Sequence, residues 1–319
     1  MNMSKLSYNH YSFFLYLFTL LSFGFCSPRP ATSPRYTAGP LQVKSSSNHN
    51  SEHTVHSLNS AHSLHGRDNP RHCQPFHTSF SDPSAVAESN ADPSNSPFVA
   101  LSPPETYAIT ENGLEMYLRR PKGEVHSANG MNDNLGEAAT INSTFSMNSG
   151  KVTYEVSCDF VPGVVCAFIL IDSVEASDGE MHLDEIDVEL VGSGSARWQT
   201  NIFKPSNADP DPHYGHYDTK EQYPQNPSYT SLHNYSISWD SDKIVWGVDG
   251  QDTRTMRKED TYINGVPHFP GETDSLRLQL GIWDGSGAEG TSSWADGPVN
   301  WDNAPQKIVA TVRSVSVEC

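Results

Sequence analysis

The stretch His182-Leu-Asp-Glu-Ile-Asp-Val-Glu-Leu-Val191 alternates between acidic and apolar side chains over most of its length. Side chains on a β-strand point in turn to opposite faces, so this alternation predicts a strand with one acidic and one apolar face. Ile186, Val188 and Leu190 form the apolar face, which we expect to pack inward. The stretch therefore indicates a half-buried strand in a sheet that covers a core.

The acidic face of this strand carries Glu185, Asp187 and Glu189. Neighbouring same-face positions lie only about 7 Å apart, and Asp and Glu are poor strand formers, so the triple costs stability. Like charges also raise the pKa of one carboxyl and keep it protonated near neutral pH. One protonated and one ionised carboxyl is the pair that glycoside hydrolysis requires. The alternative is an acidic strand that simply faces solvent.

The chain downstream of this strand also reads as short strands separated by turns. The segments with alternating apolar residues are Tyr235–Trp239, Ile244–Val248, Arg277–Trp283 and Lys307–Glu318. Asp249-Gly250 marks a tight turn between two strands. We find no convincing long amphipathic helix and no internal repeat. The pattern predicts an all-β sandwich or jelly roll.

Composition and charge exclude several classes of function. The chain has 319 residues and a formal net charge of −18, and residues 73–319 alone carry −22. This balance argues against binding to nucleic acid or to an anionic membrane surface. Hydrophobic residues make up 36% of the chain and aromatic residues 10%, which is enough for a packed core.

The first 72 residues differ in composition from the rest of the chain. The apolar run Phe13–Phe25 is too short to span a membrane, and the small residues Gly24 and Cys26 predict a signal peptide over 1–26. A membrane anchor is the alternative. Residues 27–72 are rich in Ser, His, Asn and Pro, and we interpret them as a disordered linker or propeptide. Their histidines could bind metal, but no ligand spacing repeats, so we expect no metal site and no cofactor.

Four cysteines remain after removal of the signal peptide, and they allow three disulfide pairings. Cys158 and Cys166 flank Val161-Pro-Gly163, and a hairpin loop there would place them opposite each other. Cys73 and Cys319 would then join the two ends of a domain over 73–319. Free buried thiols are the alternative. Asn142 and Asn234 lie in glycosylation sequons, which also suits a secreted, extracellular or cell-wall protein.

The segment Asp184–Gly192 resembles the active-site strand of glycoside hydrolase family 16. Further similarity to this family lies in Trp198–Asn201, Tyr235–Trp239, Ile244–Gly250 with Arg254, and Leu278–Trp283. Gly290–Gly297 and Trp301 are similar to the fungal Crh-type branch, which remodels cell-wall glucan and chitin. The resemblance covers residues 73–319 and implies a concanavalin A-like jelly-roll β-sandwich of two curved antiparallel sheets. It also implies an enzyme that is a retaining hydrolase or a transglycosylase.

The resemblance assigns roles to the acidic triple. Glu185 matches the nucleophile, Glu189 the general acid/base, and Asp187 the residue that assists them. Positions i and i+4 on a strand are about 13 Å apart, so the two Glu side chains must lean together to reach the 5 to 5.5 Å of a retaining pair.

The expected ligands are β-glucan and, as an acceptor, chitin oligosaccharides. The candidate sugar contacts are Trp198, Gln199, Asn201, Trp283, Thr291, Trp294 and Trp301, because pyranose rings stack on aromatic rings and hydroxyls bond to amides. Trp239 and Trp246 are expected in the core. We expect a monomer. A non-catalytic, lectin-like sandwich and a structural wall protein are the alternative functions.

Overall fold

The computed structural model describes residues 73–172, 184–205, 209, 213–225, 228–270 and 275–319. The predicted signal peptide and linker lie outside these residues, as do the first two residues of the acidic stretch. In chain order the strands are β1 Phe76–Thr78, β2 Val86–Ala87, β3 Phe98–Ala100, β4 Tyr107–Thr110, β5 Gly113–Arg119, β6 Ser127–Ala128, β7 Met131–Asn132, β8 Glu137–Ala138, β9 Thr140–Met147, β10 Gly150–Cys158, β11 Val164–Ile171, β12 Glu185–Val191, β13 Arg197–Phe203, β14 Thr219–Gln222, β15 His233–Trp239, β16 Lys243–Val248, β17 Gln251–Arg257, β18 Tyr262–Ile263, β19 Val266–Pro267, β20 Leu276–Asp284 and β21 Lys307–Glu318.

Helical structure in the described part of the chain is short. One α-helix, α1, spans Glu289–Trp294, and 3-10 helices span Pro83–Ala85, Pro93–Asn95, Pro104–Thr106, Lys258–Thr261 and Gly285–Gly287. The prediction of little helix is confirmed. The predicted strand over Lys307–Glu318 is confirmed at both ends, and the predicted turn at Asp249-Gly250 has positive φ at both residues.

Two large sheets organise the described strands. One has the order β17-β16-β15-β10-β21-β5-β4, with β1 also pairing with β21 and β8 with β5. The other has the order β14-β13-β12-β11-β20-β9-β3-β2. All pairs are antiparallel except β2 with β3. We call the second sheet the β12 sheet, because β12 carries the acidic triple.

The core lies between the two sheets and is built from the inward side chains of both. Trp198 of the β12 sheet packs edge-on against Tyr235 of the other sheet, with ring centroids 5.3 Å apart. Trp239 and Trp246 are buried in this core, as predicted. The arrangement confirms the predicted β-sandwich.

Both predicted disulfides are present, but one of them connects different elements from those expected. Cys73 and Cys319 are joined with their Cα atoms 5.4 Å apart, because β1 pairs with the end of β21. Cys158 and Cys166 are joined as well, with Gly163 at positive φ. The hairpin explanation was wrong, since β10 and β11 belong to different sheets. This bridge therefore ties the two sheets together.

No helix among the described residues is long and apolar enough to cross a membrane.

Candidate active site

The acidic triple lies on the outward face of the β12 sheet. Strand β12 runs antiparallel between β11 and β13, so each carboxylate has a partner on either side. On β13, Glu185 lies opposite Phe203, Asp187 opposite Asn201, and Glu189 opposite Gln199. Directly paired residues share a face of the sheet. The register therefore places the three carboxylates and both predicted amide contacts on one surface, next to one another.

This surface is more enclosed than an ordinary solvent-facing strand. Glu185 is 5% exposed and Asp187 is 3% exposed, while Glu189 is half-buried. Glu185 Oε1 and Asp187 Oδ1 make no hydrogen bond within the described structure. Buried carboxylates without partners are costly, and a substrate with many hydroxyl groups could satisfy them. The burial contradicts the alternative of a simple acidic solvent-facing strand.

The electrostatics of the triple favour protonated carboxyls near neutral pH. Burial, followed by the charges of Glu189 and Asp184, raises the pKa of Glu185. Burial, followed by the charges of Glu185 and Glu189, raises the pKa of Asp187 well above its usual value. Burial and the charge of Asp218 raise the pKa of Glu189 to about 8. The three groups therefore titrate as a coupled set that retains protons where an exposed carboxyl has lost them.

The strand that carries the triple is held from the opposite sheet. Trp246 on β16 donates its indole N–H to the carbonyl oxygen of Asp187 over 2.9 Å. The Arg254 guanidinium lies 4.7 Å above the same indole ring and donates to the Thr200 hydroxyl over 2.6 Å. These contacts fix β12 and β13 against the core, so the carboxylates project from a rigid base.

Two tryptophans border the acidic surface at the Glu189 end. Trp283 lies on β20 opposite Val165 of β11, on the same face of the sheet as the carboxylates. Its ring stacks on that of Trp294 of α1, with centroids 6.3 Å apart and planes at 20°. The Trp294 indole N–H donates to Gln199 Oε1 over 3.0 Å. Helix α1 is thereby connected to the amide that faces Glu189.

Several predicted sugar contacts lie elsewhere. Trp198 is fully buried on the inward face of β13, because adjacent residues of a strand point to opposite faces and Gln199 points outward. Trp301 is 2% exposed and donates its indole N–H to Asp284 Oδ2 over 3.1 Å. Both are core residues, and their assignment as sugar platforms was wrong. Thr291 is buried within α1, with 3% of it exposed.

The two glycosylation sequons differ in accessibility. Asn234 is exposed on β15 and remains a candidate acceptor. Asn142 is 6% exposed, and its Oδ1 accepts a hydrogen bond of 2.8 Å from Gln279 Nε2. A glycan attached to this buried amide would break the bond and displace its neighbours. The folded structure thus disagrees with the expectation for Asn142.

Sequence reasoning missed three residues around the triple. Gln279 and Arg277 lie on β20 opposite Ile169 and Ile171 of β11, so they share the face of the carboxylates. Alternation within Arg277–Trp283 was the signal that could have placed them there. Tyr214 was missed because it lies in a loop without periodicity. Tyr214 packs edge-on against Phe203, the residue opposite Glu185, and burial and then the charge of Glu185 raise its pKa to about 12.

Comparison with known proteins gives matches over the described sandwich. A sequence profile of the glycosyl hydrolases family 16 matches residues 102–307. Crh-like protein 2 of Aspergillus fumigatus is 33% identical over 177 residues, which make up 53% of this chain and 37% of that protein. The chain therefore covers well under two thirds of this relative.

Solved structures give the same fold at lower identity. The structure described as Crh5 transglycosylase in complex with NAG has a TM-score of 0.56 at 22% identity, and the match covers 77% of this chain and 87% of that one. The catalytic domain of an endo-1,3-beta-glucanase (laminarinase) from Thermotoga petrophila also has a TM-score of 0.56, at 16% identity, with 78% and 98% coverage. At these identities the likeness shows the fold alone.

Proposed function

Because this chain belongs to glycosyl hydrolase family 16, we propose that it cleaves β-glucan through a covalent glycosyl-enzyme. The glycosyl group then passes either to water or to the hydroxyl of a second sugar chain. The acidic triple carries the proposal, since it sets three carboxyls on one face of one strand, two of them buried and the third, Glu189, half-buried. A surface that merely binds sugar has no need for three mutually repelling carboxyls.

The first half-reaction uses Glu185 and Glu189 on opposite sides of the scissile bond. The ionised Glu185 attacks the anomeric carbon, and the glycosidic C–O bond breaks as Glu189 gives its proton to the leaving oxygen. In the second half-reaction, Glu189 accepts a proton from water or from a sugar hydroxyl. That oxygen attacks the anomeric carbon and releases Glu185.

Asp187 has the task of keeping Glu185 anionic before attack. Its side chain lies between those of the two glutamates, and its pKa is raised well above the usual value. A protonated Asp187 can donate a hydrogen bond to Glu185, and hydrogen bonding to the charged form favours that form. The first proton to leave the coupled set then comes from the nucleophile, while Glu189 still holds its own.

The stacked pair of Trp283 and Trp294 supplies an apolar surface beside the Glu189 end of the triple. Pyranose rings present C–H faces that pack on such rings. We assign to this pair the sugar on the leaving-group side, where the acceptor also enters. The identity of that acceptor decides between hydrolysis and transfer, and β-glucan and chitin oligosaccharides are the two candidates.

The alternative function is a non-catalytic glycan-binding module on the same sandwich. Incubation of the protein with laminarin, lichenan and chitin oligomers, followed by mass spectrometry of the products, separates the cases. Shorter products indicate hydrolysis, and longer products indicate transfer. Unchanged oligomers together with measurable binding would favour the lectin-like module and overturn the proposal.

The roles of the two glutamates are tested with an activated aryl β-glucoside oligomer, whose leaving group departs without a proton. Glu189→Gln should still form the glycosyl-enzyme and then stall, because the second step lacks its base. Glu185→Gln should form no adduct with any substrate. Intact-protein mass spectrometry detects the adduct, and an adduct on Glu185→Gln would reverse the assignment.

We place this activity outside the cell or in the cell wall, and we assign it to one domain over residues 73–319. The disulfide between Cys73 and Cys319 supports that boundary, because it closes the ends of the sandwich. Disulfides are typical of extracellular proteins. Detection of the mature protein in the culture medium or in a wall extract, beginning after residue 26, is the corresponding test.

A further inference from the structure

A cluster of three potential metal ligands lies beyond the Glu185 end of the acidic triple. It consists of Asp209, His213 and His268, and one ligand atom of each lies within 4.8 Å of the others. Asp209 Oδ2 is 3.0 Å from His213 Nε2 and 3.4 Å from His268 Nε2. From this convergence we propose that the three residues bind one divalent transition-metal ion of the zinc type. The sequence predicted no metal site: Asp209 and His213 are four residues apart, but the third ligand, His268, follows 55 residues later and forms no spacing motif with them.

The hydrogen bonding of His268 orients it as a ligand. Its Nδ1 lies 2.8 Å from the carbonyl oxygen of Lys204, and a carbonyl only accepts, so Nδ1 carries the proton. In the neutral imidazole, Nε2 then presents its lone pair to the cluster. Metal-binding histidines commonly have their second ring nitrogen held by a carbonyl in this way.

The surroundings of His268 Nε2 favour a bound cation. The residue is 1% exposed, and Nε2 makes no hydrogen bond in the described structure. The atom it faces at 3.4 Å is a carboxylate oxygen, which also presents lone pairs. Two facing lone-pair donors repel unless a proton or a metal ion lies between them. A divalent metal ion between them would accept a lone pair from each of the three ligands at once.

The distances fit a tetrahedral site. Zinc binds imidazole nitrogen and carboxylate oxygen at about 2.0 to 2.2 Å, so neighbouring ligand atoms are separated by about 3.3 Å. The two distances from Asp209 Oδ2 lie on either side of that value. Two imidazoles and one carboxylate favour zinc and similar transition metals over calcium, which prefers oxygen ligands.

The site would also hold the segment around Tyr214. Tyr214, next to His213, packs edge-on against Phe203 with ring centroids 5.5 Å apart, and Phe203 lies opposite Glu185. The Tyr217 carbonyl accepts a hydrogen bond from Arg254, and the Tyr217 hydroxyl donates to the Thr261 carbonyl. A metal ion bound by His213 would anchor the chain on the other side of Tyr214 and thereby hold Tyr214 against Phe203.

Metal binding by the full-length chain tests the proposal without reference to activity. The protein is stripped with a chelator, dialysed and titrated with Zn²⁺ against a competing indicator. We expect one tight site per chain, lost or weakened at least 100-fold in His213→Ala and Asp209→Asn. His216→Ala is the matched control, because His216 lies exposed in the same loop and outside the cluster. Its affinity should equal that of the unsubstituted chain.

Thermal unfolding gives a second readout. A ligand at 100 times its Kd should raise Tm by roughly 5 to 10 °C in a domain of this size. We expect this rise with Zn²⁺ in the unsubstituted chain and in His216→Ala, and no rise in His213→Ala or Asp209→Asn. Calcium should leave Tm unchanged. Circular dichroism of the stripped variants checks that they are folded, and His213→Gln replaces His213→Ala if that variant is not.

Two outcomes would overturn the proposal. If His213→Ala binds Zn²⁺ as tightly as His216→Ala, the metal is held elsewhere, for instance by the six histidines between His49 and His72. If the unsubstituted chain binds no Zn²⁺, the cluster is an ion pair between one carboxylate and protonated histidines. A tetrahedral visible spectrum after addition of Co²⁺, absent in His213→Ala, would support the site directly.

Discussion

The two faces of strand β12 are both largely removed from water, yet their chemistry is opposite. The inward face carries Ile186, Val188 and Leu190, each at most 1% exposed in the core between the sheets. The outward face carries the acidic triple, with Glu185 and Asp187 at most 5% exposed. Burial of the first set stabilises the fold, since apolar area leaves water. Burial of the second set opposes folding at neutral pH, since it disfavours the charged forms.

Alternate residues of this one strand therefore have different roles. The inward side chains of Ile186, Val188 and Leu190 hold the two sheets together, and the outward acidic triple carries the proposed chemistry. Substitutions at adjacent residues should consequently change different measured quantities: kcat for the outward residues and the free energy of unfolding for the inward ones. Their effects on stability can also have opposite signs.

The largest effect is expected for Glu185→Gln. The loss of the nucleophile should lower kcat on β-glucan by about 10⁴-fold or more. Stability at pH 8 should rise, because the neutral amide no longer resists ionisation in a buried position. Chemical denaturation at pH 8 and at about pH 3.5 measures this, and the gain should vanish at the lower pH, which lies below the unfolded pKa of 4.5, so that both states of the wild-type carboxyl are largely protonated. A large loss of stability at pH 8 would place Glu185 among the structural residues.

The inward neighbour should behave in the opposite way. Ile186→Ala should cost about 2 to 5 kcal/mol of unfolding free energy, because it leaves a cavity in the core. Denaturant unfolding measures this cost, and kcat per folded molecule should stay within about threefold of wild type. Val309→Ala on β21 is the control, since Val309 is only half-buried and should lose less stability. A kcat as low as that of Glu185→Gln would contradict the separation of the two faces.

The alternation of side chains along β12 is also the feature that the sequence alone could predict. Alternation over six residues, Glu185 to Leu190, identified the strand, its two faces and the acidic triple, because period two is a local property. The assignment of Trp198 was wrong because the alternation was not extended from β12 to its partner β13. In that pairing Trp198 lies on the inward face. The hairpin explanation of the disulfide between Cys158 and Cys166 was also wrong. Local spacing suggested a hairpin, whereas sheet membership depends on long-range pairing.

The site residues that escaped prediction share a physical reason. Tyr214 lies in a loop, and loops are positioned by contacts rather than by periodicity. Asp209, His213 and His268 converge only in the tertiary structure, since His268 lies 55 residues beyond His213 in the sequence. Asn142 matched a sequon, but register opposite Gln279 buries it. Such features depend on tertiary packing, which a single sequence does not encode in a readable pattern.

The pH dependence of the free energy of unfolding should reflect the carboxyls on the outward face of β12 together. The pKa values of Glu185 and Glu189 rise from 4.5 to about 8 in the folded chain. The folded state thus binds more protons than the unfolded state between these values, so this contribution to stability is full below about pH 4.5 and lost as pH rises through about 8. Denaturant unfolding between pH 4 and 9 should show this decline, with a shallower slope in Glu185→Gln. A stability that rises across this range would contradict the raised pKa values.

The smallest effect is expected for Trp294→Phe, which tests whether the aromatic border belongs to the outward face. The change keeps a ring against Trp283 but removes the hydrogen bond to Gln199. One lost hydrogen bond is worth about 1 kcal/mol, so KM should rise about fivefold with kcat nearly unchanged. Trp301→Phe is the matched control, because it also removes one indole N–H bond, to Asp284, but from a core residue. That variant should lower Tm and leave KM unchanged, so the reverse pattern would place Trp301 rather than Trp294 at the glycan.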